Sequence, residues 1–155
     1  MRTRSPQYGR YVSCAPGPRG KLFAYTCKST SGGSRRCIVG ERGDVPRLLA
    51  AGDVIVSSSA YGEGFSNAIA EGMAAGLVPV ATGVGDVREI IGDTGEIVAI
   101  SAPDALRRAI EKVLALPPGE RRARGLAARD RIERLFSLDR AVDRFAALYS
   151  GPSAA

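Results

Sequence analysis

The sequence has no histidine anywhere, no C-x-x-C pair, and no acidic residue in its first 36 positions. Each absence narrows the chemistry. Three cysteines, Cys14, Cys27 and Cys37, with neither histidine nor close pairing, argue against a zinc site, so no metal is expected. A histidine-based hydrolase triad is excluded, and no G-x-x-x-x-G-K-[ST] phosphate loop occurs. No run reaches the length of a membrane-spanning helix. No continuous apolar stretch follows the N-terminal arginines, as a secretory signal would require. With an odd cysteine count, these features point to reduced thiols and a cytoplasmic location.

The missing acids also divide the chain. Residues 1–36 carry eight Lys/Arg, whereas the remainder carries fourteen against all sixteen Asp/Glu. The net charge of +6 is therefore +8 joined to −2, and the globular part is not basic. A basic arm can bind anionic polymers such as a phosphate backbone. This one has no helical periodicity and no nucleic-acid motif, so no specific nucleic acid is expected. Its stretches "CAPGPRG" and "STSGGSRR" are turn or disorder text, and "KLFAYTC" reads as an isolated short strand. Residues 1–36 are expected to be poorly ordered, 37–150 to form the domain, and 151–155 to be a tail.

From Cys37 the pattern changes. Strands are expected at 37–40, 53–59, 77–82 and 95–100. Helices are expected at 44–52, with Asp44 as cap, and from Phe65 to Gly76. One helical turn is expected at 87–91. Three further helices follow, broken at Pro117–Pro118 and capped at Ser137; the last has Leu138, Val142, Phe145 and Leu148 or Tyr149 on one side. Apolar strands alternating with helices predict an α/β fold: a Rossmann-like parallel sheet of about four strands with flanking helices. Ligands in such sheets bind beyond the carboxyl ends of the strands. Here those ends carry "GERGD", "SSSAYGEGFS" and "TGVGD".

The middle loop holds the chemistry. Gly62 and Gly64 precede Phe65, and Ser66 and Asn67 open a helix. Free N–H groups at a helix start, with small residues around them, suit a phosphate group. Glu63 lies just before the helix and Glu71 one turn after Asn67. Carboxylates repel phosphate, so they make sense as acceptors for hydroxyls on either side of it, a sugar and a ribose. The plainer alternative is that Ser66 caps the helix and Glu71 is a solvated surface residue. "GVGDVRE" is a partial G-x-G, with Arg88 where a dinucleotide fingerprint has Gly, and a plain turn explains it.

The run "GEGFSNAIAEGMAAGLVPVATGVGDVREIIGDTGEIV" resembles the donor-binding core of the family-4 retaining glycosyltransferases, which have the GT-B fold. Their E-x7-E pattern is matched by Glu63, Gly64, Phe65, Glu71, Met73, Ala74, Gly76 and Thr82. "GERGDVPRLLAAGDVIVSSS" and "FSLDRAVDRFAALY" resemble the flanking segments, so the likeness runs from about Cys37 to Tyr149. It departs at Gly72, where Ala is usual, at Pro79, one place late, and at Gly83, where Asp is frequent.

The resemblance implies that Glu63 contacts the transferred sugar near the reacting carbon. It implies that amides of Gly64, Phe65, Ser66 and Asn67 hold the donor diphosphate, and that Glu71 binds the ribose. Backbone at Val39 to Glu41 would lie by the base. The donor, a nucleotide-diphosphate sugar, is then a substrate, and neither metal nor cofactor is implied. No counterpart of the acceptor domain of such enzymes is expected here, and residues 1–36 are expected to lie outside the resemblance. A half-domain is expected that binds nucleotides or nucleotide sugars, with a separate acceptor domain as partner or self-association through a bare sheet edge. An acid-free, basic Pro/Gly/Ser segment is also what a G+C-rich coding region yields out of frame, so a truncated or frameshifted product is expected. Acceptor-domain coding sequence should then lie just upstream in the genomic DNA; a genomic sequence with none in any frame removes that expectation.

Overall fold

The computed structural model describes residues 10–17, 20–28, 34–40, 43–61 and 64–149, with side chains described from residue 43 onward. The elements run β1 (Arg10–Gly17), β2 (Gly20–Lys28), β3 (Ser34–Gly40), α1 (Val45–Ala50), β4 (Val54–Ser57), α2 (Asn67–Ala74), β5 (Val78–Thr82), α3 (Val87–Ile91), β6 (Glu96–Val98), α4 (Pro103–Ala115), α5 (Pro118–Leu135) and α6 (Leu138–Tyr149). The strands form one sheet in the order β3-β2-β1-β4-β5-β6.

β4 and β5 form the centre of the described core. Val54, Ile55, Val56, Val78, Val80 and Ala81 are all buried. Strands covered on both faces need apolar side chains at every position, and helices must lie on each side. Pleating sends Val54, Val56, Val78 and Val80 to one face, where Ala109 and Val113 of α4 pack. Ile55 and Ala81 go to the other face. There they meet Leu49 of α1, Ile69 and Met73 of α2, Val87, Ile90 and Ile91 of α3, and Ala128 and Ile132 of α5.

β1 pairs parallel with β4, β4 with β5, and β5 with β6. β2 is antiparallel to both β1 and β3. β3 therefore points the same way as β4, and the carboxyl ends of β3, β4 and β5 share one edge of the sheet. All four expected strands are present as β3 to β6, but the expected bare edge is not: β1 pairs along β4 from Tyr11 opposite Val54 to Cys14 opposite Ser57. The basic segment supplies two more strands: β2 is the short strand read at "KLFAYTC", no longer isolated, β1 was not expected, and β3 begins inside the same segment. Strand pairing here overrides local turn signals such as Pro16 and Gly17. The carboxyl end of β3 is also farther from β4 than chain order suggests, because β2 and β1 lie between them. Its pairing with β2 slips one residue at Val39, between Ile38 opposite Ala24 and Gly40 opposite Phe23.

The charged helix α5 docks through a narrow stripe: Gly125, Ala128 and Ile132 are its buried residues. At Gly125 a Cβ would overlap the carbonyl oxygen of Gly76, so the helix lies almost on the backbone. Arg121 and Arg131 serve helix ends. Arg121 donates to the carbonyls of Leu114 and Leu116 (3.0 and 3.1 Å), and Arg131 to those of Glu89 and Ile90 (2.7 and 2.9 Å). The exposed pairs Arg129–Glu133 and Arg134–Asp130 add little stability. α6 has the expected apolar stripe, yet none of its residues is buried.

Gly72 has a packing reason. A Cβ there would lie 2.7 Å from three atoms of the buried Ile55 side chain. Gly72→Ala should therefore destabilise the protein, since overpacking of ~1–3 kcal/mol outweighs a helix-propensity gain of at most ~1 kcal/mol. Urea unfolding of the two proteins checks this; an unchanged or raised midpoint would contradict the packing account.

Candidate functional site

The site is built where β4 and β5 end. Beyond Ser57 the chain runs through Ser58 to Tyr61 and returns at Gly64 to begin α2. Two ties fix this loop to the end of β5. The buried Thr82 hydroxyl donates to the Ser59 carbonyl at 2.5 Å. The Asp86 N–H, in the loop after β5, reaches the Gly64 carbonyl at 3.4 Å. The loops "SSSAYGEGFS" and "TGVGD" are thus joined, as expected for the carboxyl edge of a parallel sheet.

Ser66 occupies the N-cap position of α2 with extended backbone (φ −80°, ψ 91°), but its side chain makes no capping hydrogen bond. Its carbonyl accepts from the Ala70 N–H at 3.0 Å. The first turn of α2 contains no acidic residue. Among the described residues, no side chain caps the first N–H groups of this helix, which stand at the positive end of the helix dipole. Gly64 is exposed, and a Cβ there would meet nothing within 4 Å, so its surroundings are open. Asn67 is exposed. Phe65 is 42% exposed, with its ring 5.4 Å from that of Phe136 and inclined by 53°.

Glu71 is exposed and forms no ion pair with any described residue. It lines a cleft of about 490 Å³ with Pro46, Leu49 and Ala50 of α1, Ala74 and Ala75, and Arg129 of α5. Arg129 is engaged by Glu133 at 2.7 Å. Glu63 and Gly62 lie outside the described residues, as does Glu41 of the expected base-side backbone. Val39 is in β3, separated from β4 by two strands. Among the described residues, no group of three or more His, Cys, Asp or Glu could hold a metal ion, and no helix is long and apolar enough to cross a membrane.

Two contributors escaped the sequence reading. Thr82 entered only as part of the motif, although its hydroxyl fastens the loop after β4. Phe136 entered only as the first residue of the flanking segment "FSLDRAVDRFAALY", with no sign of a contact to the site. Its contact joins residues distant in the chain, which periodicity cannot report.

Comparison with known proteins bears on the family and the fold. The family model described as "Glycosyl transferases group 1" matches residues 15–115. The match opens inside the segment expected to lie outside the resemblance, and closes before α5 and α6. One component of the phosphatidylinositol N-acetylglucosaminyltransferase of Arabidopsis thaliana is 38% identical over 74 residues, which is 48% of this chain and 16% of that protein. Sucrose-phosphate synthase from Thermosynechococcus elongatus superposes with a TM-score of 0.61 at 30% identity, over 66% of this chain and 26% of that one. The chain thus spans about a sixth and a quarter of the lengths of these two relatives.

Thr82→Val removes the buried hydroxyl and leaves the Ser59 carbonyl without that donor. The variant should lose about 1–3 kcal/mol of stability and exchange its amide hydrogens faster around residues 58–66. Denaturant unfolding and hydrogen exchange check both; unchanged exchange in that loop would mean that the bond does not fix it.

Proposed function

The chain belongs to the group 1 glycosyl transferases, and from that premise we propose that its core binds a nucleotide-diphosphate sugar for transfer of the sugar, with retention at the anomeric carbon, to an acceptor. The mouth of α2 carries this reading. It lies at the carboxyl edge of the sheet, with an N-cap side chain that does not cap and no acid in the first turn. A diphosphate is the ligand such a mouth suits. The amides of Gly64, Phe65, Ser66 and Asn67 hold it and stabilise the charge that grows on the leaving diphosphate.

In this reading the two glutamates divide the donor. Glu63 accepts from hydroxyls of the sugar beside the reacting carbon. Glu71 accepts from the ribose hydroxyls, with the cleft between α1 and α2 beside it for the nucleoside. An ionised carboxylate is acceptor-only, so paired hydroxyls are its natural guests.

A second reading is favoured by the small share of either relative that the chain spans. The core then binds the donor and needs an acceptor-binding domain to complete the transfer. Calorimetric titration with a panel of nucleoside diphosphates and nucleotide sugars, followed by assays of donor hydrolysis and transfer, separates the two. Binding with turnover supports the first reading, and binding without turnover the second. Glu71→Ala should weaken binding by about ten-fold or more, the scale of a lost charged hydrogen bond. A wild-type chain that binds nothing in the panel, or equal affinity in the Glu71→Ala variant, ends the donor-site assignment.

A further inference from the structure

We propose that Phe136 is a positioning residue for the diphosphate-binding loop and acts through Phe65. The inference rests on the donor-site reading above and adds to it a residue outside the sequence motif.

Among the described residues, the Thr82–Ser59 hydrogen bond ties the first half of the loop that opens α2, and the stretch from Gly64 to Ser66 has less to fix it. Ser66 supplies no side-chain cap. The Asp86–Gly64 hydrogen bond is long, at 3.4 Å. A Cβ on Gly64 would meet no neighbour within 4 Å. Yet the amides of residues 64–67 must converge on one point to hold a diphosphate, and an electrostatic site works only if its donors are fixed beforehand. Phe65 stands within that stretch of backbone. Its aromatic partner is the ring of Phe136, at a centroid distance of 5.4 Å and a tilt of 53°, within the range that aromatic pairs favour.

Phe136 is suited to hold another residue still. It closes α5, its N–H donating to the Ile132 carbonyl at 2.9 Å, and it packs against the main core. Helix α5 is in turn seated on the sheet by Gly125, Ala128 and Ile132, with Gly125 against the Gly76 backbone. A line of rigid contacts therefore runs from the core through Ile132 and Phe136 to Phe65 and the mouth of α2. Phe136 is neither part of the E-x7-E motif nor one of the groups assigned to touch the donor. Its effect is on where the Gly64–Asn67 amides point.

The test compares the wild type with Phe136→Leu, which keeps an apolar side chain but loses the ring, and Phe136→Tyr, which keeps the ring. Leu135→Ala, at the exposed neighbour, is the control. Each is titrated with a nucleoside diphosphate that the wild type binds and with the matching nucleoside, which lacks phosphate. Melting temperatures are recorded alongside. Phe136→Leu should weaken nucleoside diphosphate binding roughly three- to ten-fold, leave nucleoside binding unchanged, and be rescued in Phe136→Tyr. Leu135→Ala should bind both ligands as the wild type does. A Phe136→Leu variant whose diphosphate affinity stays within about two-fold, or whose nucleoside affinity falls equally, overturns the inference alone. If Phe136→Leu does not fold, Phe65→Leu is read by the same criteria. A wild-type chain that binds no nucleoside diphosphate overturns the donor-site reading, and the inference with it.

Discussion

The parallel pairing of β4 with β5 is the constraint on which the rest depends. Val54 to Ser57 face Val78 to Ala81 in register, and all of these residues are buried. Backbone polar groups so deeply buried must be satisfied by the ladder, which leaves the side chains to pack against helices on both faces. Two consequences follow. The crossover helices α2 and α3 are held on one face, and α4, which follows β6, covers the other. The loops after β4 and β5 are forced onto one edge, side by side, where the Thr82 hydroxyl and the Asp86 amide tie them together.

Small residues convert this frame into a site. Gly125 lets α5 lie against the backbone at Gly76, and Gly72 lets α2 lie against Ile55. α5 therefore presses on the turn between α2 and β5, and α2 on the sheet. The far end of α5 then reaches the mouth of α2, and Phe136 meets Phe65. The same chain of contacts ends at α6, whose Leu138, Val142, Phe145, Leu148 and Tyr149 remain in solvent. Stability is thus concentrated in the central strands and the helices seated on them.

Much of this was legible in the sequence because it is local. "DVIVSSS" and "LVPVAT" read as buried strands from continuous β-branched and apolar text. "FSNAIAEGMAAG" read as a helix that opens at a loop and ends at Gly76, which has φ +82° in the structure. The segment before Cys37 was less legible. "RYVSCAPG" carries Pro16 and Gly17, and its partners in the sheet are β2, next in the chain, and β4, which follows another strand and a helix. Helix α5 read only as charged, because its buried face is two small residues and one isoleucine.

The sequence by itself determined the element types, the alternation that makes a parallel sheet, and the grouping of Gly64, Phe65, Ser66, Asn67 and Glu71 at one helix. Those properties follow from backbone preferences and from side-chain periods of two and 3.6 residues, which act between near neighbours. Tertiary structure alone decided that β1 covers the flank of β4, that Thr82 holds the Ser59 carbonyl, and that Phe136 stands behind Phe65. Each joins residues far apart in the chain, and such contacts are set by how two-sided burial of β4 and β5 stacks the layers, which no local pattern encodes.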